Sequence, residues 1–293
     1  MNTFFERSTL NEIIKNESSP FKLSNFLNES EIKELLNFRN SALKVMVDRE
    51  ESTKVPFDWN DSKILNNLKN KIENITGSFK VNDFEPHFIT TRFPLRLHAD
   101  TGKDPKDIIF KNIVVPLEIN YKNESNTNKS KSHTIIFKNK WYNQSALFTT
   151  KTKDNYDFII KNNNGSFIDI INIYDFKEKV DDTKEGDLLL YKGDHFLINQ
   201  KFKDYITMLS KTKRYNLRTD KHIKNKNKID KKIYDLYLTH QPYEDCDGLE
   251  IDAALSWEPG SLLVWDRVRI HSSDNFLLNG IDNKTCIALF TSK

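Results

Sequence analysis

Trp257-Glu258-Pro259-Gly260-Ser261-Leu262-Leu263-Val264-Trp265-Asp266, followed five residues later by His271, is a Pro-Gly turn that opens into an apolar run and leads to an imidazole. Far upstream, Leu97-His98-Ala99-Asp100 closes a stretch with the composition of a strand. Successive strand side chains point to opposite faces, so His98 and Asp100, two apart, project together. A third partner must come from another strand, and His271 follows one. Two neutral imidazoles and one carboxylate can hold one face of a ferrous ion. They leave a single residual positive charge and vacant positions for an acidic co-substrate and dioxygen.

The sequence around these residues reads as strands. Phe88-Ile89-Thr90-Thr91-Arg92-Phe93 is rich in β-branched and aromatic residues, Pro94 breaks it, and Leu95 to Asp100 resumes it. Ile108 to Ile119, Thr134 to Phe137, Ala146 to Phe148, Ser261 to Ile270 and Thr285 to Thr291 are further strand candidates, separated by Gly-, Pro- and Asn-rich turns. Many short strands of this kind point to an antiparallel barrel or jelly roll. The front of the chain is different. Asn28 and Glu31 have the spacing of a capping box ahead of Ile32, Leu35, Leu36 and Phe38, and Ile64, Leu65, Leu68, Ile72 and Ile75 recur at helical spacing before Gly77. The expected fold is mainly β with flanking α: a jelly-roll core with N-terminal helices packed on one sheet. The expected domain is single, with helical support over 1–80, core over 81–150 and 255–293, and an insertion or lid over about 151–254.

Composition narrows the function classes. With 293 residues, 37% hydrophobic and 12% aromatic, the chain can bury a sizeable core. A net charge of +3 does not predict a nucleic-acid partner. The segment Asn199 to Lys232 holds twelve Lys/Arg against three Asp, which reads as a solvated face or as a basic lid that gathers an acidic substrate. Cys246 and Cys286 fit no zinc or redox spacing and are expected as buried thiols. The N-terminus is charged at once and no apolar window approaches a membrane span, so the expected location is the cytoplasm.

Seven histidines and 42 acidic residues yield about one His-x-acid match by chance, so the pattern alone does not decide between a metal ligand and a hydrogen-bonded core histidine. Its setting decides more: a strand end, a turn, and later a Pro-Gly, an apolar strand and a His in that order. Thr91-Arg92-Phe93, His98-x-Asp100, Lys111 to Leu117, Glu258 to Asp266 and His271-Ser272-Ser273 together resemble the Fe(II)- and 2-oxoglutarate-dependent oxygenases, in their phytanoyl-CoA-dioxygenase-like or prolyl-hydroxylase-like branches. The resemblance implies a double-stranded β-helix, a form of jelly roll. It makes His98, Asp100 and His271 the metal ligands, and Fe(II), 2-oxoglutarate and dioxygen the reactants. The implied reaction is hydroxylation of a small-molecule or side-chain substrate, since Asp100 stands where related halogenases carry a small residue.

The same resemblance places a cation for the far carboxylate of 2-oxoglutarate at the start of the last strand, where Lys284 stands in place of the commoner arginine. A lysine would bind as a point charge and not as a fork. Strand parity offers Arg269, and Arg267 with it, as the alternative, provided the strand is regular up to His271. Two other functions remain open at this level: a non-catalytic cupin-like jelly roll that binds a metal or ligand, and a nucleic-acid demethylase using the 199–232 segment. The second is disfavoured by the near-neutral balance elsewhere and the lack of an aromatic-and-basic base-reading motif.

Overall fold

In the computed structural model of the chain, two of the three front helices begin at a capping side chain. The structure describes residues 4–42, 47–48, 52–81, 86–122, 131–148, 157–158, 171–191, 194–200, 202–204, 214–215 and 227–293. Helix α1 is Arg7–Lys15, α2 is Glu29–Ser41 and α3 is Lys63–Thr76. Asn28 and Glu31 form the reciprocal capping box of α2, each side chain bonding the other's backbone N–H at 3.0 Å. Ser62 caps α3, and Ile64, Leu65, Leu68 and Ile72 are its buried face. Ile75, expected on that face, is exposed.

The chain clusters into two units, one of residues 1–146 with 220–293 and one of 147–219. The second unit covers much of the expected insertion but ends before residues 227–254, which belong to the first. It contains α4 (Ile173–Asp181) and an antiparallel pair, Leu188–Tyr191 with Asp194–Leu197. In the first unit a further helix, α5, spans Lys231–Tyr237.

The main strands of the first unit are β1 Phe21–Leu23, β2 Ser52–Pro56, β3 His87–Thr91, β4 His98–Ala99, β5 Ile109–Tyr121, β6 His133–Lys140, β7 Ile251–Ser256, β8 Leu262–Asp266, β9 Arg269–Ser273 and β10 Ile281–Ser292. Within one sheet they run β1-β8-β5-β10-β3-β2, with Val47–Asp48 paired beyond β2 and Lys80–Val81 paired to β10, and within the other β4-β9-β6-β7, with antiparallel pairing at each of these contacts. The architecture is mainly β, a jelly roll of the double-stranded β-helix kind. Strands β1 and β2 fall inside the stretch expected to be only helical support. They are three and five residues long and extend the first sheet at its two sides.

Parity sorts each strand of the first sheet into two faces. Phe88, Ile113, Val115, Leu262, Val264, Ile287 and Leu289 meet Leu35, Leu65, Leu68 and Ile72 of the helices. The alternate residues Leu263, Trp265 and Cys286 meet Ile136, Leu255 and Trp257 of the second sheet. Each such side chain, fully buried, contributes about 1.5–3 kcal/mol. The helices therefore cover one sheet, as the sequence predicts, and the inter-sheet space is left for the site.

The run Ser261 to Ile270, expected as one strand, is two. β8 lies in the first sheet and β9 in the second, with a turn at Arg267-Val268 between them. The corner reads as strand because it is buried: Val268 packs with Phe5, Ile13 and Ile109, and the Arg267 guanidinium is bonded to carbonyls. At the other end of β8, Gly260 has φ +82°, and a Cβ there would stand 2.7 Å from the Leu27 carbonyl oxygen. Only glycine fits this close approach. Cys246 and Cys286 are free and buried. Among the described residues no helix is long and apolar enough to cross a membrane.

Candidate metal centre

β4 is two residues long, and its pairing with β9 is the single register pair His98–His271. That pairing brings the two imidazole centroids to 4.1 Å. Asp100 follows β4 directly. Its Oδ2 lies 3.1 Å from His271 Nε2 and 3.8 Å from His98 Nε2. One ligand atom from each of the three lies within 4.8 Å of the others. Among the described residues these are the only three His, Cys, Asp or Glu side chains grouped in this way.

The second nitrogen of each ring is already engaged. His98 Nδ1 is 2.6 Å from the Arg96 carbonyl oxygen, and His271 Nδ1 is 3.0 Å from that of Arg269. A neutral imidazole that donates from Nδ1 carries a bare lone pair on Nε2. Burial, reinforced by the neighbouring His271, pushes the His98 pKa down to about 4, so its ring is neutral at pH 7. Burial alone would raise the Asp100 carboxyl, but His98, His271 and Arg267 outweigh it and hold the group well below the usual carboxylate range. With both rings in the neutral Nδ1–H form, two lone pairs and a carboxylate oxygen would face one another, an arrangement that a cation between them satisfies.

The surroundings fix this donor set. Asn112 Nδ2 donates to Asp100 Oδ2 at 3.1 Å, and Arg267 Nε donates to the Asp100 carbonyl at 2.7 Å. Trp265, whose ring sits 5.1 Å from that of His271, is the register partner of Asn112. The buried atoms Asn112 Oδ1 and Trp265 Nε1 have no hydrogen-bond partner among the described residues. Unsatisfied buried polar atoms beside a candidate centre are what a bound group would complete.

Lys284 stands at the start of β10, and its side chain enters the inter-sheet space. Nζ donates to Ser132 Oγ at 2.8 Å and Ser273 Oγ at 3.1 Å, and lies over the Trp257 ring at 3.9 Å and the Phe276 ring at 4.7 Å. Asp274 is reached only through Ser132, whose Oγ donates to Asp274 Oδ1 at 2.8 Å. Among the described residues no carboxylate lies within ion-pair distance of this ammonium. Burial pushes the Lys284 pKa down to about 8, with Asp274 and Cys286 pulling the other way. Arg269 is placed differently. A β-bulge between Arg269 and His271 interrupts the parity on which its inward position depended. Its guanidinium is paired with Asp252 at 2.6 Å and Asp266 at 3.5 Å and donates to the Ser18 carbonyl. The sequence places Asn112 in the 111–117 strand and Gln241 in the 240–245 stretch, readable as a mouth-shaping segment or an ordinary loop, but gives neither side chain a role at the centre. Only their cross-strand or long-range contacts identify those roles. Most of the basic segment 199–232 lies outside the described residues.

No protein-family model matches the chain, and no curated protein matches it by sequence. Solved structures overlap it loosely. The non-heme alpha-ketoglutarate-dependent epimerase SnoN from nogalamycin biosynthesis does so with TM-score 0.42 at 9% identity, over 97% of this chain and 84% of that one. The carbocyclase SnoK, of the same biosynthesis and the same cofactor dependence, gives TM-score 0.41 at 8% identity over 100% and 86%. HygX from Streptomyces hygroscopicus, solved with nickel and 2-oxoglutarate bound, gives TM-score 0.38 at 9% identity over 98% and 87%. Identities of this order leave the chemistry to be read from the residues themselves.

Proposed function

We propose that the chain is a non-haem Fe(II) oxygenase that uses 2-oxoglutarate and dioxygen to hydroxylate a small-molecule or side-chain substrate. The observation that carries this reading is the convergence of His98 Nε2, Asp100 Oδ2 and His271 Nε2, with a buried, carboxylate-free Lys284 further along the same interior. Two imidazoles and one carboxylate on one side of a metal are the donor set suited to ferrous iron with open positions.

The bound iron would supply the redox chemistry: dioxygen gives one oxygen atom to succinate, formed with carbon dioxide from 2-oxoglutarate, and the other to a substrate C–H bond. The protein's part is positioning. His98 and His271 present lone pairs fixed by their Nδ1 bonds, and Asn112 and Arg267 hold Asp100. Lys284 meets the far carboxylate as a point charge, assisted by the hydroxyl of Ser273, while Ser132, bonded to Asp274, holds the ammonium in place. A cation so buried is costly without an anion, and a dicarboxylate supplies one. Trp257 and Phe276 exclude water around it, which strengthens the pairing.

The test is turnover. Purified protein with ferrous iron, 2-oxoglutarate and air is expected to form succinate, slowly without substrate, and His98→Ala is expected to abolish it. A jelly roll that only binds metal would take up iron and form no succinate, and this result would overturn the proposal.

A further inference from the structure

The spacing of the two histidines rests on little main-chain structure, because β4 pairs with β9 only at His98–His271. One buried side chain ties the same two strands together from the opposite side. Gln241 is 4% exposed. Its Oε1 accepts from the Leu97 N–H at 3.0 Å, and its Nε2 donates to Ser272 Oγ at 3.4 Å. The amide orientation is unambiguous, because a backbone N–H can only donate. Leu97 immediately precedes His98, and Ser272 immediately follows His271.

Adjacent strand residues face opposite ways. Gln241 therefore grips the strands behind the imidazoles and touches neither ring. It is itself anchored. Its N–H donates to the Leu238 carbonyl at 3.1 Å, and its carbonyl accepts from the Tyr234 hydroxyl at 2.7 Å. The preceding residue repeats the connection: His240 Nε2 lies 3.2 Å from the Leu95 carbonyl oxygen and 3.3 Å from Ser272 Oγ, while Ser272 Oγ also donates to Leu95 at 3.0 Å. The segment after α5 thus clamps the approach to β4 onto β9.

We infer that Gln241 is a positioning residue of the metal centre, setting the separation of His98 and His271 through Leu97 and Ser272. The inference rests on the reading of those histidines as metal ligands. Outer hydrogen-bond partners that orient ligands typically change metal affinity by about 10–100-fold when removed.

The experiment titrates Co(II) into the metal-free full chain, follows the visible ligand-field band, and compares wild type, Gln241→Leu, Ser272→Ala and the double variant. His98→Ala reports whether binding uses the centre at all. Gln241→Leu is expected to weaken Co(II) binding about 10–100-fold and to shift the band. Ser272→Ala is expected to weaken it less, and the double variant to fall short of the product of the two, because both changes cut one connection. Single variants that bind Co(II) like wild type, or fully multiplicative effects, would overturn the inference. If Gln241→Leu does not fold by circular dichroism, Ser272→Ala decides alone: weaker binding with a shifted band supports the clamp, and wild-type binding removes it. Failure of wild type to bind Co(II), or full binding by His98→Ala, would instead overturn the metal-centre reading itself.

Discussion

Lys284 Nζ donates to Ser273 Oγ at 3.1 Å, and Ser273 stands two residues beyond His271 on β9. Two strand residues advance about 7 Å. Through Ser273, the ammonium of β10 is therefore held beside β9, two residues along from His271, a spacing that a five-carbon diacid can bridge. A buried lysine elsewhere in the fold would lack this relation to the candidate centre.

Removing Lys284 is expected to act in opposite directions on binding and stability. Lys284→Met should eliminate 2-oxoglutarate binding, measured by calorimetry on the Co(II) protein. It should also raise the stability of the ligand-free protein by roughly 1–3 kcal/mol in urea unfolding at pH 7, because a buried charge without an anion is replaced by an apolar chain. The sign follows from the depressed pKa of about 8 against the ordinary 10.5. Below pH 8 both folded and unfolded states carry the proton and the folded state bears the whole penalty. Between 8 and 10.5 the folded lysine loses its proton first and the penalty fades. The advantage of the Met variant should shrink over that window.

The same group should govern the pH dependence of 2-oxoglutarate binding. On the proposed function the ammonium is the binding form, so affinity for 2-oxoglutarate should be flat below pH 8 and fall by up to tenfold per pH unit above it. Lys284→Arg, which stays charged, should retain binding without the alkaline loss. Calorimetric titrations between pH 6.5 and about 9.5 check both curves.

Arg269 is expected to be structural. Arg269→Gln leaves Asp252 and Asp266 without this partner and should cost about 3 kcal/mol of stability, read as a lower urea midpoint. Its affinity for 2-oxoglutarate should stay within about twofold of wild type, since the affinity is assigned to Lys284.

The metal ligands should separate from their supports by magnitude. His98→Ala, Asp100→Ala and His271→Ala should each weaken Co(II) binding by more than about 100-fold, whereas Asn112→Ala, which removes one bond to Asp100, should fall in the roughly 10–100-fold range of outer partners.

Much of this site is visible in the sequence because it follows local rules. The x of His98-x-Asp100 spans one strand repeat, the Asn28–Glu31 box announces α2, and Pro259-Gly260 announces β8. What escaped the sequence depends on distant partners. The strands β1 and β2 are too short to show a period, and the first sheet supplies their register. The corner at Arg267-Val268 looks like strand because it is buried. The bulge before His271, which undoes parity for Arg269, has no compositional sign. Gln241 lies 144 positions from Leu97, a relation that no window along the chain can display.

The most direct test is a crystal structure of the protein soaked anaerobically with ferrous iron and 2-oxoglutarate, with the iron located by anomalous scattering. The account predicts one iron at roughly 2 Å from His98 Nε2, an Asp100 carboxylate oxygen and His271 Nε2. The far carboxylate of the co-substrate should lie on Lys284 between Ser132 and Ser273. Iron bound away from those three residues, or the carboxylate held by Arg269 or Arg92, would contradict it.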